Sequence, residues 1–270
     1  MIIWLTSYPK SGNTWVRAFL ANYFSKKTTG VFDKTYGING FPREKFFEGI
    51  VDKELIKKNP FELFKYFIPA QKKINENNRL HFLKTHSFAG SINNYPFTDA
   101  SNTYGAIYLI RDPRSVAVSY AYHTNISFEK SVNQLLNENL TSVNDELYVE
   151  ARLSWSIHAQ SWINSNWPKV IIRYEDLHKD TFENFKKILL FIKKFSSFEV
   201  DDEKIKKTIS ICSFNNLSNE EKKKGFLEKL ENINFFRKGE IDEWRNVLPK
   251  NLIQKIEKKF EKQMKELDYL

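Results

Sequence analysis

The stretch that most constrains this chain is Leu5-Thr6-Ser7-Tyr8-Pro9-Lys10-Ser11-Gly12-Asn13-Thr14-Trp15. Before it, Ile2, Ile3, Trp4 and Leu5 form the apolar run of a buried strand. After it, Val16, Phe19, Leu20 and Tyr23 recur at i, i+3, i+4 and i+7, the period of one helix face. The residues between therefore form a strand-to-helix loop. A helix opening there presents four unpaired N–H groups and the positive end of its dipole, so the turn is a ready anion site. Lys10 adds a mobile charge, Ser11 and Thr14 add hydroxyl donors, and Gly12 removes a Cβ that would hold an anion away from the main chain.

The loop is not a Walker A sequence, which places lysine after its second glycine and follows it with the hydroxyl that holds Mg²⁺. Here Lys10 precedes Ser11 and Gly12, so the expectation is an anion grip that needs no metal. Residues 79–86 alternate and then turn polar, a strand running into a loop. In an open parallel sheet, ligands sit beyond the carboxyl ends of the strands. His86, at such an end, either faces the anion site or is an ordinary packed histidine. A third strand, 104–110, leads through Arg111-Asp112-Pro113-Arg114 into a helix starting near Ser115. Arg111 either makes a second anion site on the same sheet edge or pairs with Asp112 at a helix cap. Two such sites would suit one ligand with phosphate-like groups at both ends.

The rest of the chain reads as alternating strands and helices. A loop is expected over 28–40 and helices over 43–58 and 61–77; the rings from Phe32 to Phe67 are packing or, as a segment, a lid. The stripe Trp155, His158, Ala159 and Trp162 reads as core, and 170–177 as a strand entering an acidic loop. Phe182, Phe185, Ile188, Leu189 and Ile192 mark an amphipathic helix, Ile205 and Ile209 a short one, 236–246 an irregular segment, and 252–267 a closing helix. Strand and helix in alternation give an α/β fold, a parallel sheet flanked by helices, expected as a single domain over 1–270.

Composition limits the function classes. With 270 residues, 41% hydrophobic and 15% aromatic, the chain can fill an enzyme-sized core. One cysteine, Cys212, excludes an internal disulfide. No window approaches the about 18 uncharged apolar residues of a membrane span, and the expected location is cytoplasmic. The net charge of +9 allows a polyanionic small ligand or nucleic acid, but Lys255, Lys258, Lys259 and Lys262 alternate with Glu257 and Glu261 as on a solvated helix face.

The loop resembles TYPKSGTTW, the 5′-phosphosulfate loop of sulfotransferases that use 3′-phosphoadenosine 5′-phosphosulfate (PAPS), with Ser7 for the first threonine and Asn13, a donor of similar reach, for the threonine after the glycine. Further segments follow in the family's order. Lys84-Thr85-His86 resembles its KTH segment, and Arg111 with Ser119 its 3′-phosphate segment. Arg173-Tyr174-Glu175-Asp176-Leu177 resembles RYEDL, and Cys212-Ser213-Phe214 resembles TSF. Arg237-Lys238-Gly239 resembles the start of RKGxxGDWKN, with Asp242 and Glu243 where glycine and aspartate would stand. The resemblance implies a P-loop-like fold and transfer of a sulfuryl group from PAPS to a hydroxyl or amine of a small acceptor, without metal. It implies His86 as general base, Lys10 on the leaving phosphate, and Ser119 on the 3′-phosphate and restraining Lys10. Lys84 would assist at the sulfuryl oxygens. Trp15 and Phe214 would flank adenine and Tyr174 contact its edge. Ser11, Gly12, Asn13, Thr14, Arg111, Arg237, Lys238 and Gly239 would hold the phosphates. Cys212 lacks the family's hydroxyl. The KxxxTVxxxE dimer signature of animal members is not found, so no oligomeric state is implied. The residues by themselves also admit a nucleotide kinase of related fold or a nucleic-acid-binding module.

Overall fold

A computed structural model describes residues 1–25, 38–144, 148–226 and 233–270. Phe32, Tyr36 and most of the expected 28–40 loop lie outside the described residues. The chain runs β1 (Ile2–Ser7), α1 (Asn13–Phe24), β2 (Asn39–Gly40), α2 (Lys53–Lys58), α3 (Phe67–Asn75), β3 (His81–Thr85), β4 (Ser91–Ile92), β5 (Tyr95–Pro96) and β6 (Thr103–Ile110). It continues with α4 (Pro113–Thr124), α5 (Phe128–Leu136), β7 (Thr141–Asn144), β8 (Tyr148–Ala151), α6 (Trp155–Ile163), β9 (Lys169–Arg173), α7 (Tyr174–Lys179) and α8 (Thr181–Lys193). It closes with α9 (Asp202–Ile211), α10 (Phe214–Lys224), α11 (Trp244–Val247) and α12 (Lys250–Glu266).

Five strands form one parallel sheet in the order β2-β3-β1-β6-β9. All six residues of β1 are buried, because helices cover both faces of the sheet. Ile2 and Trp4 point into a cluster with Tyr108, Ile110, Trp155 and Trp162, whereas Ile3 and Leu5 point into one with Val16, Phe19, Leu109 and Ile172. That is the period of two expected of a strand serving two cores. Trp4 adds a hydrogen bond from its indole to the Thr103 hydroxyl at 2.9 Å. Truncating such a ring to alanine costs about 3–5 kcal/mol.

The expected helices over 43–58 and 61–77 are not continuous. Glu44–Phe46 and Pro60–Tyr66 are 3₁₀ segments, and α-helix forms only in α2 and α3. Gly49, at a φ of 72°, and the Asp52 and Pro60 boundaries break the run. Among the described rings of the aromatic segment, Phe41, Phe47, Phe64 and Phe67 are buried with Trp4 and Phe97, while Phe61 is exposed. The acidic loop expected after β9 is also helical. Tyr174 starts α7 directly, with Glu175 and Asp176 in its first turn where the dipole favours carboxylates.

The sheet order places β1 between β3 and β6, so the chain leaves β1 at a switch point with crossovers to either side. Loops that begin there open a crevice beyond the carboxyl ends. Lys10, His86, Arg111 and Tyr174 follow β1, β3, β6 and β9 at that edge.

Candidate active site

The loop after β1 is shaped by two residues with positive φ, Lys10 at 67° and Gly12 at 93°. Left-handed backbone is uncommon for lysine and turns successive N–H groups toward one centre. Gly12 is the N-cap of α1, and no side chain caps that helix. In α4, α6, α9 and α10 the caps are Asp112, Ser154, Asp201 and Ser213. The uncapped start leaves the first turn of α1 open to an anion. Glycine at position 12 has a further reason that the sequence does not disclose: a Cβ there would lie 2.7 Å from the Tyr174 ring. Asn13 lines the cavity from the first turn of α1. Its amide nitrogen donates back to the Leu5 carbonyl at 3.2 Å and the Ser7 hydroxyl at 3.3 Å, fastening the loop to β1.

His86 leaves β3 half-buried. Its Nδ1 lies 2.7 Å from the Ser7 carbonyl and 3.3 Å from the Ser7 hydroxyl. A carbonyl only accepts, so Nδ1 carries the proton and Nε2 keeps its lone pair. The main-chain N–H of His86 donates to Glu150 Oε1 at 2.9 Å, which fixes the residue at a second point. Burial holds this imidazole well below its ordinary 6.5, and the Lys84 charge acts in the same direction while the Ser7 carbonyl opposes them. The ring is therefore neutral near pH 7, the state a proton acceptor needs.

At the other end, the Arg111 guanidinium lies over the Tyr174 ring at 4.3 Å. It donates to the Lys10 carbonyl at 3.0 Å and the Glu240 carbonyl at 2.9 Å. Arg111 does not pair with Asp112, which caps α4 and binds Arg114 instead. The segment before α11 is drawn across the site by the Arg111–Glu240 bond and by the Ser115 hydroxyl donating to the Ile241 carbonyl. Gly239 packs against Phe214, where a Cβ would come within 2.7 Å of the ring. Arg237 makes a forked ion pair with Glu243, and Lys238 Nζ is 3.1 Å from the same carboxylate. Burial raises the Glu243 carboxyl, but the two cations outweigh it and hold it below the usual carboxylate range. The Lys10 ammonium lies 3.9 Å from the centre of the Phe235 ring.

One cavity of 470 Å³ collects these groups. Lys10, Gly12, Asn13, Thr14 and Trp15 line it from the loop and α1, Lys84 and His86 from β3, and Arg111 and Ser119 from β6 and α4. Tyr174, Phe214, Arg237, Lys238 and Gly239 complete the set named from sequence. Ser11 is buried but does not line the cavity, and its hydroxyl has no partner among the described residues. Cys212 is core, packed in a cluster with Ala18, Leu217, Phe226 and Phe236, and within residues 212–214 it is Phe214 that lines the cavity. The lining residues missed by sequence include Arg43, Glu150, Arg152, Phe235 and Ile241. Val149-Glu150-Ala151-Arg152 alternates like a strand with a wet face, so its two charges carry no signal of burial. Both are buried, at 4% and 9% exposure.

A nucleotide with two anionic ends fits these residues. Arg111 Nε and Trp15 Nε1 are buried donors on the lining with no partner among the described residues. Gly12 and Gly239 admit the Tyr174 and Phe214 rings so closely that any side chain would displace them. The described residues hold no cluster of His, Cys, Asp or Glu able to bind a metal, and none of their helices is long and apolar enough to cross a membrane.

The sulfotransferase domain family model matches residues 2–268. Flavonol 4′-sulfotransferase of Flaveria chlorifolia is 30% identical over 270 residues, covering 95% of this chain and 77% of that protein. Flavonol 3-sulfotransferase of Flaveria bidentis is 26% identical, covering 95% and 79%. Among solved structures, mouse sulfotransferase SULT7A1 complexed with PAP aligns with a TM-score of 0.64 at 21% identity, over 98% of this chain and 84% of the other. Retinol dehydratase in a complex with retinol and PAP aligns at 0.66 and 17%, over 98% and 81%. At these identities the structural likeness shows a shared fold.

Proposed function

The chain belongs to the sulfotransferase domain family, and from that membership we propose how its residues divide the work of moving a sulfuryl group from PAPS to a hydroxyl or amine of a small acceptor. The observation that carries the assignment is the Nδ1 hydrogen bond of His86 to the Ser7 carbonyl, which aims a neutral Nε2 from the wall that also carries Lys10 and Lys84. PAPS supplies an activated sulfuryl group on a phosphate that departs with the electron pair of the broken S–O bond.

His86 Nε2 takes the proton of the acceptor hydroxyl as its oxygen bonds to sulfur. Lys10 meets the charge that grows on the bridging oxygen, and the open first turn of α1 faces the 5′ end. Lys84, on the same cavity wall, assists at the sulfuryl oxygens. Arg111, Ser119, Arg237, Lys238 and Gly239 receive the 3′-phosphate, and Trp15, Tyr174 and Phe214 enclose the adenine. Transfer of labelled sulfate from PAPS to a library of small alcohols, phenols and amines, run in EDTA, tests the reading. Turnover that persists in the chelator is expected, because these fixed cations do the neutralising. Turnover of ATP in place of PAPS would overturn it.

Glu243 sharpens the account of the 3′ end. Its carboxylate occupies the guanidinium fork that a 3′-phosphate would take, so donor binding has to displace it. Glu243→Gln is expected to tighten PAP binding about fivefold, from a part-exposed pair of ~1 kcal/mol. AMP, which lacks the 3′-phosphate, should bind the two proteins alike in calorimetric titration. Equal tightening of both nucleotides would show that the effect is general charge and not this fork.

A further inference from the structure

Arg152 follows β8 and is nine-tenths buried. Its guanidinium cannot shed its proton. Its hydrogen bonds go to two hydroxyls, Tyr120 at 3.2 Å and Ser142; among the described residues none goes to a carboxylate, and Nε is buried without a partner. Glu150 acts on it electrostatically but has given an oxygen to the His86 N–H. A cation so far removed from water is normally matched by an ion pair, because desolvating it alone is costly. Arg237 shows the contrast within the same cavity, since it has Glu243.

The unmatched charge lies at the acceptor end. Arg152 lines the cavity beside His86, Lys84 and Arg43, and its field is felt at the His86 imidazole. Among the described residues, the lining around His86 carries the basic side chains of Arg152, Lys84 and Arg43 and the carboxylate of Glu150. A planar guanidinium presents parallel N–H groups that match a carboxylate.

We propose that Arg152 is the anchor for an anionic acceptor, a small hydroxylated carboxylic acid whose carboxylate pairs with Arg152 while its hydroxyl meets His86. This rests on the sulfotransferase reading above. The competing source of the same negative charge is the sulfuryl end of the donor.

The test is kcat/KM at saturating PAPS for acids paired with their own amides: 4-hydroxybenzoate and 4-hydroxybenzamide, 4-hydroxyphenylacetate and its amide, glucuronate and glucuronamide. The acid is expected to be preferred about tenfold or more by the wild-type chain. Arg152→Gln should bring the ratio to about one, and Arg152→Lys, which keeps the charge, should retain most of it. PAP affinity, by calorimetry, should be the same in all three proteins. Equal use of acid and amide by the wild type, or turnover of neither member of any pair, overturns the proposal. So does loss of PAP affinity in Arg152→Gln that matches the loss of acceptor preference, which would assign the charge to the donor. Failure of the wild type to bind PAP at all overturns the donor reading, and this inference with it.

Discussion

Replacing His86 by alanine is expected to lower kcat for sulfuryl transfer about 10²–10⁴-fold, the usual worth of a positioned general base. PAP binding should change little, because the imidazole meets the acceptor and not the nucleotide. The ring is held by one strong contact, Nδ1 to the Ser7 carbonyl, and its main chain by Glu150, so alanine leaves the strand end in place. The pH profile supplies an independent readout. Burial and the Lys84 charge lower the imidazole's pKa below 6.5, so its lone pair is present at neutral pH and is lost as pH falls through that lowered value. Wild-type kcat/KM should therefore be flat through 6.5 and fall on the acid side of it, and that limb should vanish in the alanine variant. A variant within a few-fold of wild type, with the limb intact, would assign the proton transfer to another group.

Lys10→Ala is expected to cost about 10²–10³-fold, comparable to removing one preorganised group aimed at developing charge. The effect should fall mainly on kcat, since the bridging oxygen gains its charge in the transition state. Lys10 already occupies left-handed backbone, and alanine there bears the same steric cost, so the variant should fold like the parent. Lys10→Arg should recover little: the guanidinium is broader, and the ammonium sits closely on the Phe235 ring. A loss confined to KM would place Lys10 in ground-state binding of the nucleotide and remove it from the chemical step.

The two variants depend on different layers of information. The strand-loop-helix unit around Lys10 is visible in sequence because local rules make it: a doubly buried strand has to be apolar throughout, and one helix face has to repeat every three or four residues. The same rules place β3, β6 and β9 and the amphipathic helices α8 and α12. They fail over 43–77, where apolar residues at helical spacing pack as short 3₁₀ and α pieces under Trp4, because contacts with β1 and Phe97 override local preference. The switch after β9 from an expected loop to α7 is the same lesson on a smaller scale, since carboxylates that look like loop residues also suit a helix's first turn.

Sequence alone determined the alternation of strands and helices and the strand-to-helix turn at Lys10 to Thr14, because each is written in neighbours a few positions apart. Tertiary structure alone decided that Gly12 makes room for Tyr174, that Asn13 ties the loop to β1, that Glu243 holds the Arg237 fork, and that Arg152 lies buried in the same cavity as His86 with no carboxylate hydrogen-bonded to it among the described residues. Those contacts join residues far apart in the chain, and burial of a charge depends on what folds over it, which no local pattern records.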